Sequence, residues 1–466
     1  MRVSNQIVIS PDEPCYKTIL EYSKKYLTLP NPEYAKKARM GFWLGNTPKT
    51  LNLYQIIGGN LVLPYGTLKQ VLNLYPNIEV VTEFCTPEFV DYKCSVPLYD
   101  YQTKATDEMI KGFYGILQSK AGSGKTQMAI SLIGRLQRRA LFITHTADLL
   151  NQSKERAERY IDSSLIGKIT EGKVTIGKGV TFATVQTLCK LDLSQYKHMW
   201  DVIIVDECHR VAGTPTQVSM FAKVLNSLSA RHKYGLSATV HRADGMIQAT
   251  FALLGDIVYT VPDEAVADKV MQVGIKPIGT GVKISRECLN TDGTLNYAKL
   301  INYLCEDAYR CTIIRNHIIG ESDKSCLILS DRLEHLEALM KLLPVHLRDK
   351  AVMISGKMTS KKGKAEREQA LEDMRAGKKK YLFATYSLAR EGLDIPRLER
   401  LFMASPVKDF AVVTQSIGRI ARTFEGKANP VCYDFIDQMG YTEKMFKQRL
   451  RHYKKGGCYI CEEPTE

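Results

Sequence analysis

The sequence predicts an α/β protein: two tandem parallel sheets flanked by helices, preceded by a small α+β accessory domain. Three observations carry this expectation. From about residue 96, short β-rich apolar runs alternate with helical stretches, the pattern of a doubly wound sheet. The alternation weakens over about 262–310 and then resumes, marking a second unit of similar size. The first 95 residues read differently, rich in Tyr and broken by Pro and Gly. The 466 residues suit about three units at roughly 150 residues each. The expected boundaries are 1–95, 96–262 and 263–444, with a basic tail of some helical character over 445–466.

In the accessory part, Ile7–Ile9 and Asn60–Pro64 read as strands and Cys15–Tyr26 as a helix. The first sheet takes Phe113–Leu117, Leu141–Ile143, Val180–Ala183, Val202–Val205 and Tyr234–Leu236, with helices over Thr126–Gln137 and Asp148–Tyr160. The second takes Cys326–Leu329, Ala351–Ile354, Tyr381–Ala384 and Leu401–Ala404. No apolar run approaches the 18 residues of a membrane span, and the start lacks the apolar stretch of a signal peptide. Twelve cysteines without a repeating framework fit reduced thiols. A cytoplasmic protein without a membrane partner is expected.

The chain carries 64 Lys+Arg against 50 Asp+Glu, a net charge of +14. The excess is local: residues 346–386 and 444–455 each hold a net +6, whereas residues 1–95 hold only +2. Two such patches on an otherwise balanced chain point to a polyanion, and contacts with a phosphate backbone need no particular base sequence. Lys378, Lys379 and Lys380 are candidates for such contacts. A membrane surface is disfavoured, because no amphipathic basic helix with exposed Trp or Phe accompanies the patches.

The chemistry concentrates at Ser119-Lys120-Ala121-Gly122-Ser123-Gly124-Lys125-Thr126, between an apolar strand and a helix. Gly122 and Gly124 let backbone N–H groups turn towards a phosphate, and the helix N-terminus adds partial positive charge. Ala121 and Ser123 lie in the same cradle. Lys125 would reach the β- and γ-phosphates, and the Thr126 hydroxyl would coordinate Mg²⁺. Ser119 stands where the full pattern has Gly. Downstream, Asp206-Glu207-Cys208-His209 follows the buried strand Val202–Val205. Carboxylates at the carboxyl end of such a strand are costly without a cation. Asp206 would hold the metal and Glu207 would polarise the attacking water. Arg419 and Arg422, three apart, would be neighbours on one helical face, placed to neutralise charge on a transferred phosphoryl group. Gln415, four residues before Arg419, would help orient the water.

The series Gly-Ser-Gly-Lys-Thr (122–126), Asp-Glu-Cys-His (206–209), Ser-Ala-Thr (237–239) and Gln-Ser-Ile-Gly-Arg-Ile-Ala-Arg (415–422) resembles, in order and spacing, the motifs of superfamily 2 helicases. The resemblance implies two RecA-like lobes, the first ATP-binding, with ATP and nucleic acid bound across their cleft. It implies that Gln102 reads the adenine, and that Gly392 and Asp394 of the Glu391–Pro396 run take part at the nucleotide. His145 and Thr146 resemble motif Ia, and Thr184, Gln186 and Thr187 motif Ic. Ser330 and Arg332 resemble motif IV, Ser355 and Gly356 the next loop, and Thr385 the start of motif V; all are implied nucleic-acid contacts. His209, Ser237 and Thr239 are implied to couple the two sites.

The continuation of Ser237-Ala238-Thr239 into Val240–Gly245, and the run Val431–Asp437, resemble the DNA-directed XPB, UvsW and RecG members. Arg242-Ala243-Asp244 matches two of the three positions of the Arg-Glu-Asp element of XPB-type proteins. A small domain ahead of compact lobes resembles the phage branch-migration helicases of the UvsW type. Residues 1–95 are then a DNA-substrate recognition domain, where exposed Tyr or Trp43 would stack on bases. The expected function is an ATP-dependent DNA helicase with Mg²⁺ that remodels forks and Holliday junctions in replication, recombination or repair, monomeric on DNA. An RNA helicase and a non-hydrolysing nucleic-acid-binding protein remain alternatives. Cys458 and Cys461 form a CxxC lacking two further zinc ligands, and buried cysteines beside a short strand are the plainer reading. Cys208 reads as a packing residue.

Overall fold

The computed structural model describes all residues except 87, 121, 239, 241–245, 267–269, 284, 359, 391–392, 408, 439 and 462–466. The Arg242-Ala243-Asp244 element and the site candidates Ala121, Thr239 and Gly392 therefore lie outside the described residues. The chain forms two compact units, residues 1–120 with 124–265 and residues 266–466 with 121–123.

The first unit holds an eight-stranded sheet in the order 173–175, 166–170, 180–184, 140–144, 202–205, 232–237, 114–118 and 257–260. All its pairs are parallel except that of the outer hairpin 166–175. Its central strands, among them Ala140–Thr144 and Val202–Val205, are buried throughout, which is why they read as unbroken apolar runs. Their register aligns Thr144 with Thr184 and Val205 with both Ile143 and Gly235. The motif residues that follow these strands thus emerge along one edge, the carboxyl edge where ligands bind in such sheets.

The accessory part of this unit is a five-stranded sheet in the order 55–57, 60–64, 6–9, 2–3 and 81–82, packed on the helix Tyr16–Tyr26. It rests on the larger sheet's helices. Gly66 approaches the backbone of Phe251, Ala252 and Gly255 so closely that a Cβ there would clash at 2.5–2.7 Å. The Tyr65 hydroxyl donates to the Arg231 carbonyl, 3.0 Å. A separate two-stranded ribbon, Thr28–Pro30 with Thr50–Asn52, seats Leu29, Leu51 and Leu53 against Ala212, Val218, Met246 and Ala249.

The second unit is a seven-stranded, wholly parallel sheet in the order 351–354, 381–385, 326–330, 400–403, 431–438, 274–283 and 459–460. Strand Gly274–Lys283 falls where the sequence pattern weakens, because it contains Pro277, Gly279 and Gly281. Pro277 pairs with Asp434 on one side; on the other, the pairing with Tyr459–Ile460 reaches Ile275, so among the described residues the missing N–H faces an unpaired edge.

The basic tail expected from 445 is helical as read, but it is packed rather than a free tail. Residues Gly440–Lys455 form a helix whose Thr442, Met445, Arg449 and Tyr453 are buried, and Tyr459–Ile460 adds a strand to the sheet. Its cations alternate with a packed face at helical spacing, which a count of charges does not register.

Candidate nucleotide and nucleic-acid sites

The phosphate loop leaves the strand Tyr114–Gln118 and enters the helix Lys125–Leu136. Gly122 (φ +87°) and Gly124 (φ +81°) occupy the left-handed region that a side chain disfavours. Gly124 is doubly constrained, since a Cβ there would collide with the Gln102 side-chain amide. That contact brings the adenine candidate to the loop. Gln102 is itself fixed: its Oε1 accepts from Tyr99 N–H at 3.0 Å, and its Nε2 donates to the Tyr101 hydroxyl at 3.3 Å. Lys125 Nζ folds onto the loop's own carbonyls, Ser119 O at 3.2 Å and Lys120 O at 3.3 Å.

Asp206 and Glu207 follow the strand Val202–Val205, and Glu207 adopts a left-handed φ of +47°, a strained conformation for a side-chain-bearing residue. Asp206 Oδ1 accepts from Glu207 N–H at 2.9 Å. Burial, reinforced by the neighbouring Glu207 charge, raises the Asp206 carboxyl above its ordinary range, while Lys125 and Arg156 oppose the shift. Arg156, from the helix Ala147–Ala157, also donates to Thr126 Oγ1 at 3.3 Å. Sequence reasoning missed Arg156, which nothing but its place on the helix after motif Ia could have flagged. A hydroxyl and a desolvated carboxylate suit a hard divalent cation such as Mg²⁺, whose remaining positions are taken by phosphates and water. The residues present therefore fit Mg²⁺.

His209 joins two motifs. Its Nδ1 lies 3.2 Å from Glu207 Oε2 and 3.1 Å from Ser237 Oγ, and both His209 and Ser237 are buried. Ser237 O in turn accepts from Ser119 N–H at 3.0 Å, at the start of the phosphate loop. The coupling candidates thus connect the Glu207 carboxylate with the ends of two neighbouring strands. Cys208 packs against Gly235, where a Cβ would meet its Sγ at 2.8 Å, and burial raises its thiol well above the ordinary range.

His145, Thr184, Gln186 and Thr187 line one surface cleft of about 420 Å³, together with Lys190, a cation the motifs did not single out. Gln186 Nε2 donates to the His145 carbonyl at 2.8 Å, and the Thr184 and Thr187 hydroxyls lie 3.0 Å apart. Thr146 caps the following helix by accepting from Leu149 N–H at 3.3 Å.

In the second unit, Ser330, Ser355, Gly356 and Thr385 sit at or just past the carboxyl ends of three adjacent strands, with Ser330 aligned to Thr385. The structure corrects the role expected for Ser330. It is fully buried, and its Oγ is engaged with His335 Nδ1 at 2.9 Å and Arg332 N–H at 3.2 Å, so it holds the Arg332 loop and does not face a ligand. Arg332 Nε donates to Asn302 Oδ1 at 2.7 Å. The lysines Lys378, Lys379 and Lys380 are also displaced from expectation. They precede strand Tyr381–Thr385, at the amino edge, and Lys380 Nζ donates to Asp323 O at 3.2 Å. Lys378→Gln, Lys379→Gln and Lys380→Gln together are expected to leave the salt slope of nucleic-acid binding within about one counterion of wild type. A slope flattened by about 2.7, the value for three phosphate contacts, would return them to the track.

Gln415 and Arg419 lie on the helix Phe410–Ile420, but Arg422 does not. The helix ends at Ala421, and Arg422 instead makes a backbone bridge to Val270. The shared face expected for the two arginines is thereby corrected. What brings them together is a set of contacts with Ala389, in the helix Tyr386–Arg390, and with Leu393 and Asp394 beyond it. Arg419 donates to Ala389 O at 2.8 Å and Leu393 O at 3.1 Å, and Arg422 pairs with Asp394. Lys427, also missed, donates to three carbonyls, Pro396, Ile420 and Arg422, at 2.7–3.0 Å. Desolvation lowers its ammonium to about 8. It fastens the ends of motifs V and VI to each other.

Among the described residues, no group of three or more His, Cys, Asp and Glu side chains is arranged to hold a metal, and neither Cys458 nor Cys461 is in a disulfide. No described helix is long and apolar enough to cross a membrane.

Residues 95–242 match the model for the type III restriction enzyme res subunit, and residues 309–424 that for the helicase conserved C-terminal domain. A putative ATP-dependent RNA helicase of Acanthamoeba polyphaga mimivirus is 25% identical over 82% of this chain and 72% of its own. The ATP-dependent DNA helicase uvsW of Enterobacteria phage T4 is 21% identical over 91% of this chain and 86% of its own. In fold, the chain is similar to S. cerevisiae Dbp5 bound to RNA and ADP BeF3, with a TM-score of 0.55 at 17% identity over 80% of this chain and 95% of that one. Two RecA-like lobes, a phosphate loop, an acidic pair tied through His209 to Ser237, and helicase models matching in both lobes lead to one assignment: the chain belongs to the superfamily 2 helicases and is UvsW-like among them.

Proposed function

We propose that this helicase is an ATP-driven DNA motor that remodels branched DNA, acting on forks and Holliday junctions by branch migration. The observation that carries the reading is the Glu207–His209–Ser237 connection, which gives the hydrolytic carboxylate a direct route to the strand ends of the first lobe. Lys125 and the loop N–H groups hold the phosphates, and Gln102 selects the base. Mg²⁺, held by Thr126 and Asp206, would neutralise charge between the β- and γ-phosphoryl oxygens. Glu207 polarises the attacking water. Arg419 and Arg422, steadied by the 389–394 segment and by Lys427, supply positive charge to the transferred phosphoryl group, and Gln415 orients the water. His145, Thr146, Thr184, Gln186 and Thr187 in the first lobe, and Arg332, Ser355, Gly356 and Thr385 in the second, grip the backbone.

DNA as the track is supported by the similarity to uvsW, which covers 91% of this chain. The mimiviral relative favours a second reading, RNA. ATP hydrolysis measured with forked DNA, linear duplex, single-stranded DNA and RNA separates the two. Forked DNA is expected to stimulate most. Equal stimulation by RNA would favour the second reading, and hydrolysis with none of the four would leave a silent nucleic-acid-binding protein.

A further inference from the structure

Residues 31–49 form an excursion from the two-stranded ribbon, closed at its base where Asn31 N–H donates to Lys49 O at 3.0 Å and Asn31 Nδ2 to Pro48 O at 2.8 Å. Its helix, Pro32–Arg39, is well made. Asn31 caps its N-terminus by accepting from Glu33 N–H at 2.9 Å, and Pro32 stands at the first helical position. Yet the helix buries none of its residues. Short helices normally owe their stability to a packed face, and this one only half-buries Pro32, Tyr34 and Lys37.

The helix ends in a Schellman arrangement. Gly41 (φ +66°) donates to Ala38 O at 3.2 Å, and Phe42 N–H donates to Lys37 O at 2.9 Å. That motif usually lays the residue in the place of Phe42 on an apolar residue one turn back; here Lys36 and Lys37 stand there instead. Phe42 is left 59% exposed, Met40 51% and Trp43 89%. Trp43 is nevertheless held, for its ring lies over Gly45, where a Cβ would meet it at 2.8 Å and where φ is +49°.

The charge around these rings is one-sided. Residues 31–49 carry Lys36, Lys37, Arg39 and Lys49 against Glu33 alone, a net +3, although the first 95 residues as a whole carry only +2. Lys37 pairs with Glu33 at 2.9 Å. Lys36, Arg39 and Lys49 are exposed and have no carboxylate partner among the described residues. Planar apolar faces beside unpaired cations match a ligand that combines planar rings with regular negative charge.

We propose that this excursion is a single-strand contact of the motor: Trp43 and Phe42 stack on unpaired bases while Lys36, Arg39 and Lys49 meet the adjoining phosphates. The inference rests on the nucleic-acid motor reading above. Its placement gives it a mechanical link, because the ribbon beneath it is seated on Val218 and Ala249, in the helices that follow motifs II and III.

The chain offers its own probe. It has two tryptophans, and Trp200 is 2% exposed in the core of the first lobe. Titrating the full chain with a forked oligonucleotide bearing single-stranded arms should quench the Trp43 emission, and Trp43→Ala should abolish that response. The same variant should weaken fork binding, read by anisotropy, roughly five- to a hundredfold, the range for one lost stacking contact, and Trp43→Phe should recover most of it. A blunt duplex should quench little. Unchanged emission at saturating fork with unchanged affinity in Trp43→Ala would overturn the proposal. So would quenching by anionic phospholipid vesicles or by self-association at high protein concentration without a response to DNA. Stimulation of wild-type ATP hydrolysis by nucleic acid tests the motor reading independently, so the two failures are distinguishable.

Discussion

Lys125→Ala is expected to lower nucleic-acid-stimulated ATP turnover roughly 10²–10³-fold, the scale of removing one fixed donor from developing charge in a shielded site. The structure isolates the effect. Among the described residues Lys125 Nζ makes two long hydrogen bonds, both to carbonyls of the loop that would hold the phosphates. Among the described residues no carboxylate forms an ion pair with it, although its charge is felt at Asp206, so it remains open to an incoming anion and deleting it removes little from the fold. The helix behind it keeps Gly124 at its N-cap, and the His145–Gln186–Thr187 cleft lies at the ends of other strands. Fork affinity of the variant should therefore stay within about twofold of wild type on the scale of surface substitutions distant from a contact. Lys125→Arg should not restore turnover, because a planar fork replaces a compact ammonium at the same place. Phosphate release and anisotropy on the same preparations check both halves. Undiminished turnover, or lost fork binding in a folded variant, would remove Lys125 from the nucleotide site.

The residues around Lys125 were legible because phosphate chemistry asks for particular side chains at short spacing, next to strands so apolar that they stand out. Gly122 to Thr126 and Asp206 to His209 are contiguous, and their strands are buried on both faces. Features assembled over long separations were not legible. Arg156 reaches Thr126 from 30 residues away, and Lys427 reaches the Pro396 carbonyl from 31 away. Nothing in the residue types foretells either pairing. Strand Gly274–Lys283 was hidden by its proline and glycines, which a parallel sheet tolerates only where one side of the strand is open. The Lys378–Lys380 run was misleading for a related reason: charge density is visible in sequence, but which end of a strand it flanks is decided by the polarity of the sheet.

The cation-rich segment 444–455 separates these two kinds of information most sharply, and Arg449→Ala tests it. If the segment were a solvated phosphate-binding run, its six cations would be interchangeable. The structure makes one of them unlike the rest. Arg449 lies at the third of four buried positions on its helix and forms a bidentate pair with Asp434, Nε to Oδ2 at 2.8 Å and Nη2 to Oδ1 at 2.7 Å. Its Nη1 donates to Val407 O at 2.8 Å, and the Tyr453 hydroxyl donates to Asp434 Oδ2 at 2.7 Å. Both charges are almost wholly desolvated. A pair of this kind contributes little against an apolar replacement of both partners, but removing one leaves the other charged and buried. Arg449→Ala should therefore cost about 3–5 kcal/mol of the second unit's stability. Arg451→Ala, exposed on the same helix, should change it by no more than about 0.5 kcal/mol. Urea unfolding, followed by a probe confined to the second unit because two units need not melt together, reads the difference. If Arg449→Ala melted like wild type and weakened DNA binding as much as Arg451→Ala, the carboxylate would not be the group that holds this arginine.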